Sequence, residues 1–165
     1  LNITINDSLA IAEYLAESNP HLPLWPRDPA LRALARSAAA EMHAGFATLR
    51  NTFHTNFVTH YVGEIAVSEA ASKEIARALS IWDSARKATV SRLRAIGEEE
   101  SDQGFLFGGF SIADAFFWPV LWVRCLFLFT YFPWSWLGRT MELMLYYASA
   151  SDRITSLSTA RHPRR

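Results

Sequence analysis

Phe105-Leu106-Phe107-Gly108-Gly109-Phe110-Ser111-Ile112-Ala113-Asp114 is the stretch on which the fold turns. Ser111 is followed three residues later by an acid, ahead of an apolar run, which is the signature of a capped helix start. The hydroxyl is expected to accept from the amide of the third helical position. Asp114 is expected to reach back to the Ser111 amide, where it also complements the positive end of the helix dipole. Such a cap on a mostly apolar helix marks the start of a central core helix. Ser111 and Asp114 are therefore read as a structural N-cap and not as catalytic groups.

Upstream of that stretch, Glu98-Glu99-Glu100-Ser101-Asp102-Gln103-Gly104 is a polar loop. Before it, Ile75, Leu79, Trp82, Thr89/Val90, Leu93 and Ile96 recur at helical spacing, predicting a long helix from about Glu69 to Ile96. Lys73, Arg77, Arg86, Lys87, Arg92 and Arg94 fall on its other side and read as a solvated face. Asp28-Pro29 opens an earlier helix, with Asp as N-cap and Pro at the first helical position. Its apolar face runs through Leu31, Leu34/Ala35, Ala38, Met42, Phe46, Leu49 and Phe53, so one helix is expected to reach the late fifties. Pro20, Pro23 and Pro26 make the preceding segment a rigid connector, whose Leu24 and Trp25 should dock on the body. Asp7-Ser8 caps a first helix, Leu9 to about Glu17. Leu1 to Ile5 alternates like the end of a strand.

With 165 residues, half of them hydrophobic, the chain can bury a core, and disorder is excluded by six Trp and eleven Phe. The formal net charge is zero and no Lys/Arg stripe forms, so nucleic-acid binding is not expected. The single cysteine, Cys125, excludes an internal disulfide framework and fits a reducing, cytoplasmic setting; among Leu, Phe and Val it reads as a buried, inert thiol. A secretory signal is not expected, because Leu1 onward shows no basic segment followed by a short apolar core. Ala115 to Gly138 carries a single charge, Arg124, and has the length of a bilayer span, about 20 apolar residues. Its two prolines, Arg124 and the capped Asp114 argue against a membrane role. The five histidines, at 21, 43, 54, 60 and 162, show no metal-ligand spacing, and no phosphate-binding glycine loop is present.

Two places carry candidate chemistry. At Asp7-Ser8, a hydroxyl and the free amides of a helix N-terminus suit a carboxylate, and the adjacent acid suits an ammonium. Together they fit a free α-amino acid head group, while a plain helix cap is the alternative. His43 lies about 100° from the core face of its helix, at a boundary. It is placed either to meet a bound thiolate or carboxylate or simply to pack against a neighbouring helix.

These pieces fall in an order that resembles the glutathione S-transferase family. Asp7-Ser8-Leu9-Ala10-Ile11-Ala12-Glu13-Tyr14-Leu15 is similar to the segment that ends the family's thioredoxin-like domain. Leu24-Trp25-Pro26 with Arg32-Ala33 resembles its linker. Glu41-Met42-His43-Ala44-Gly45-Phe46 is similar to a motif of bacterial beta-class members, and Phe105 to Asp114 resembles the core helix motif. The resemblance implies an all-α, C-terminal-like helical bundle of four or five helices. It divides the chain into a remnant of the thioredoxin-like domain (1–18), a linker (19–27), the helical domain (28–122) and a divergent apolar then basic tail (123–165). For the tail, a shifted reading frame or a mispredicted gene segment is the expectation.

The same resemblance implies an enzyme that joins glutathione, as co-substrate and with no other cofactor, to a small electrophile. Asp7 and Ser8 would grip the γ-glutamyl end and His43 would face the thiol. The family's principal thiolate-stabilising residue is not in this chain, which alone is expected to be a poor catalyst that binds glutathione weakly or not at all. A homodimer is expected of the complete protein. The rival from another class is a non-catalytic dimerisation or protein-interaction module.

Overall fold

A computed structural model describes residues 2–53 and 66–127, with 121–127 by backbone alone; all belong to one compact unit, residues 1–130. The described elements are α1 (Ser8–Ser18), α2 (Pro29–Ala44), α3 (Ala47–Thr52), α4 (Glu69–Ile96) and α5 (Ile112–Phe127), with a 3-10 turn at Glu99–Ser101. The fold is all-α, as expected. Residues 2–5 form no strand, since no partner strand lies among the described residues.

Local chemistry explains most helix ends. Asp7 turns its carboxylate onto the Ala10 amide at 2.9 Å to open α1, and Asn19 closes it by donating twice to the Leu15 carbonyl. Asp28 opens α2 by accepting from the Ala30 and Leu31 amides at 3.0 Å, with Pro29 where no N–H is missed. The connector between them docks as anticipated. The Leu24 carbonyl accepts from the Ile112 amide at 2.9 Å, and buried Trp25 lies under the Arg36 guanidinium, 5.6 Å from its ring centre.

The expected single helix from Pro29 into the fifties is broken. α2 stops at Gly45, whose amide still reaches the Glu41 carbonyl, and Phe46 adopts a left-handed conformation with φ 61° before α3 begins. Phe46 offers no side-chain cap. The cap comes from α4 instead: the Glu74 carboxylate accepts from the Leu49 amide at 2.7 Å and the Thr48 amide at 3.3 Å. Arg50 donates to the Met42 carbonyl, one of those left over at the end of α2. The apolar face nevertheless continues through Met42, Phe46, Leu49 and Phe53, all buried, which is why periodicity alone does not show the break.

α4 has the predicted limits. Ser68 accepts from the Ala71 amide, and Gly97, left-handed at φ 71°, ends the helix with Gly97 and Glu98 amides returning to Arg94 and Leu93 carbonyls. Its basic face is solvated, as expected, at Lys73, Arg77, Lys87 and Arg94, with Arg86 and Arg92 half-buried, but it is also tied to other elements. Arg77 makes a two-pronged pair with Glu41 of α2, Arg92 reaches Asp28 at 2.8 Å, and Arg86 grips Asp102 at 2.6 Å and the Phe105 carbonyl. Lys73–Glu69 and Lys87–Asp83 are exposed i,i+4 pairs within the helix. Those ties were not foreseen, because the partners sit on other elements and no local pattern displays them.

The turn from Asp102 to Phe110 is pinned against α4. Thr89, fully buried, donates to the Leu106 carbonyl at 2.8 Å, and Gly108 at φ 101° packs over Leu93 and Thr89. At the head of α5 the Ser111 amide donates to Asp114 at 2.9 Å, as the capping reading requires. The Ser111 hydroxyl, however, donates to the same carboxylate, also at 2.9 Å, because a buried carboxylate is the strongest acceptor within its reach. The other Asp114 oxygen accepts from the Leu106 amide at 3.0 Å. α5 then lays Phe117, wholly buried, edge-on against Trp82 of α4 at 5.9 Å. α2, α4 and α5 thereby enclose one core that includes Leu31, Ala35, Ile81, Leu93 and Phe107.

No described helix is long and apolar enough to cross a membrane. The Cys125 side chain and the tail from residue 128, with its expected lack of packing, lie outside the described residues.

Candidate functional site

Three residues singled out in the sequence meet where the start of α1 passes the end of α2. Asp7 divides its carboxylate: one oxygen caps Ala10 and the other lies 2.9 Å from His43 Nε2. The opposite ring nitrogen, Nδ1, is 3.4 Å from the Ser8 hydroxyl. Phe116 of α5 meets the imidazole edge-on, 6.0 Å between ring centres. His43 is thus oriented from two helices while a third of its side chain stays exposed. The Ala10 amide, aided by His43, holds the Asp7 carboxyl below the usual carboxylate range, so Asp7 is an anion at neutral pH.

A cavity of about 710 Å³ opens beside this trio, within the range of small-molecule sites. Met42 and His43 come from α2, Leu49 and Arg50 from α3, Phe53 from the residue after it, and Ala115, Phe116, Pro119 and Val120 from α5. The break between α2 and α3 is what turns both sets toward one space. Pro119 has no N–H for the Ala115 carbonyl one turn back, so an acceptor lacking its usual intrahelical donor sits in the wall.

Ser, His and Asp together have the composition of a hydrolytic relay, but the geometry does not suit one. Asp7 is shared with a helix cap, and 3.4 Å is long for a hydroxyl poised to lose its proton. Ser8, as the first residue of α1, presents its hydroxyl beside the helix N-terminus, where a carboxylate is favoured. Asp7 retains lone pairs for an ammonium, since an ionised carboxylate has about four acceptor directions.

Asp7, Ser8 and His43 are therefore brought together. Ser111 and Asp114 are not part of this site: both are buried at the head of α5 and neither lines the cavity. Arg50, Phe116 and Pro119 were not picked out from the sequence, and Phe53 was read as core only. Their common signal is recurrence on one side of two helices, which also describes ordinary core positions. Among the described residues, no group of three His, Cys, Asp or Glu side chains converges as a metal site.

No family model matches the chain, and no solved structure matches it. A segment of 47 residues is 47% identical to a probable maleylacetoacetate isomerase of Caenorhabditis elegans. That segment covers 28% of this chain and 22% of the worm protein, so the chain matches about a fifth of that relative's length. The relative is an enzyme of the glutathione S-transferase superfamily, and the likeness of this chain to that superfamily is partial.

Proposed function

We propose that this chain supplies the helical wall of a glutathione-dependent enzyme acting on small electrophiles. The observation that carries the reading is the meeting of Asp7, Ser8 and His43 at the mouth of an apolar cavity. Ser8 and the amides at the head of α1 take the γ-glutamyl carboxylate, and Asp7 takes its ammonium. His43, its Nε2 held by Asp7, gives up the long contact to Ser8 and accepts a hydrogen bond from the thiol at Nδ1. The thiol proton leaves to solvent, the thiolate forms a bond to the electrophilic carbon, and the leaving group departs with its electron pair. The wall contributes proximity, holding both reactants in one cleft. The group that chiefly stabilises the thiolate is assigned to another part of the complete protein.

Titration of the labelled chain with S-hexylglutathione, followed by NMR, tests this. The expected result is millimolar binding with the largest shifts at Ser8, His43 and Phe116, lost on replacing Asp7 by Ala. Shifts that avoid these residues at saturating ligand would refute the site. Micromolar affinity for glutathione itself would refute the division of the site between two parts.

A non-catalytic interaction module is the second reading, because α1 buries no residue and leaves Ile11, Tyr14 and Leu15 more than two-fifths exposed.

A further inference from the structure

α1 is held to the rest of the fold by charged ties more than by a core of its own. It buries no residue, and its half-buried Leu9 and Ala16 supply its packing against the common core. Polar ties to α2 stand at two levels. At the first, Asp7 lies 2.9 Å from His43 Nε2 and Ser8 3.4 Å from Nδ1. At the second, Arg36 donates to both oxygens of Glu13, from Nε at 3.1 Å and from Nη2 at 2.8 Å. His43 and Arg36 lie two turns apart on one side of α2, about 10 Å of rise, and Asp7 and Glu13 are separated by about 9 Å along α1. The helices run antiparallel and the ties fall at matching heights. One tie leaves a helix free to swing about it, whereas two fix its axis and its register. The α2 side of each is braced: Phe116 meets His43 edge-on at 6.0 Å, and buried Trp25 underlies Arg36 at 5.6 Å.

We propose that Arg36 is a positioning residue for the site: by holding Glu13 it keeps α1 docked, and so keeps Asp7 and Ser8 against His43. The inference rests on the proposed function for what the site binds, and deepens it by naming what assembles the binding groups. Arg36 is not among the residues lining the cavity; it acts through Glu13 and Trp25. With 11 residues, α1 is shorter than the roughly 12–15 that an isolated helix needs in water, so it loses its helical hydrogen bonds when it leaves α2. The undocked chain lacks the assembled grip of Asp7 and Ser8 beside His43. Ligand therefore binds the docked form, and by linkage a bound ligand holds α1 down. Exposure sets the scale. With the Arg36 side chain 48% exposed and that of Glu13 31%, the pair shifts docking a few-fold and not by orders of magnitude.

Amide hydrogen exchange of the full chain, read by NMR, tests it in two arms. Without ligand, Glu13→Gln is expected to speed exchange of the α1 amides from Ile11 to Ser18 about threefold. Arg36→Ala, which also loses the stack on Trp25, should speed it about tenfold. The Trp82 and Ala85 amides of α4 should keep their wild-type rates. Arg36→Lys should retain part of the protection, and the swap Glu13→Arg with Arg36→Glu should recover most of it. In the second arm, S-hexylglutathione at about ten times its dissociation constant should slow α1 exchange in the wild type about tenfold, and α4 exchange less. Unchanged α1 exchange in both single variants would overturn the proposal. So would a rise shared equally by α4, which would make the pair a contributor to global stability alone. Ligand that shifts Ser8 and His43 yet leaves α1 exchange as it was would also overturn it, because the site would then be independent of docking. Failure of S-hexylglutathione to bind strikes the proposed function and leaves the ligand-free arm to judge the docking. Failure of the ligand-free arm leaves the thiol site standing.

Discussion

Replacing Asp114 tests how the head of α5 is held. This carboxylate is 8% exposed and takes three donors: the Leu106 amide at 3.0 Å and the Ser111 amide and hydroxyl at 2.9 Å. Asp114→Ala orphans two buried amides at about 1–3 kcal/mol each, while removal of a buried charge offsets part of the loss. The net cost expected is about 3 kcal/mol in urea unfolding followed by circular dichroism. Asp114→Asn keeps the shape and one acceptor oxygen but turns an NH2 toward a donor, so its cost is smaller, about 2 kcal/mol.

The pH dependence separates this account from a simple packing defect. Burial pushes the Asp114 carboxyl above its usual range, against the pull of the Leu106 and Ser111 donors. The folded protein thus holds this proton to higher pH than the unfolded chain. Ionisation then removes stability as pH rises from the ordinary carboxylate value through the raised one. Asp114→Asn lacks that decline, so the gap between wild type and variant should narrow as pH rises through the window. A loss below about 1 kcal/mol for Asp114→Ala, or a gap that widens with pH, would refute the reasoning.

Two further outcomes concern the frame around the site. Glu74→Ala removes the cap on α3 and should cost about 1 kcal/mol, with faster hydrogen exchange confined to the Thr48 and Leu49 amides; unchanged exchange there would show that Glu74 is not the cap. Asp28 is held below the usual carboxylate range by Arg92 first and by the Leu31 and Ala30 amides. Its contribution is present above that range and lost as pH falls through the lowered value, so Asp28→Asn should flatten the acid-side fall in urea midpoint, and a parallel curve would disprove the pairing.

The features legible in the sequence share a property: their causes are local. Asp7, Asp28 and the Ser111–Asp114 pair act within three residues, and Gly97 ends α4 where an apolar pattern stops. What escaped was caused at a distance. The break at Phe46 depends on Glu74, which caps α3 from α4, and the cationic face of α4 is tied down by Glu41, Asp28 and Asp102. Gly45 was the visible hint of the break, but the apolar phase runs unbroken across it. At the site, the capped start of α1 and a histidine at the edge of an apolar face singled out Asp7, Ser8 and His43, and the resemblance joined them in one role, while nothing in the local pattern distinguished Arg50 or Phe116 from ordinary helix positions.

The left-handed residue at Phe46 gives the cavity an adjustable jaw. Met42 and His43 stand on one side of that residue, and Leu49, Arg50 and Phe53 on the other. The angle between the two sets is governed by the backbone torsions of Gly45 and Phe46 and by the carboxylate of Glu74. A change at Phe46 or Glu74 can therefore reshape the bite on a ligand without altering any side chain that touches it. Selectivity in such a wall can drift through residues that a survey of the lining would pass over.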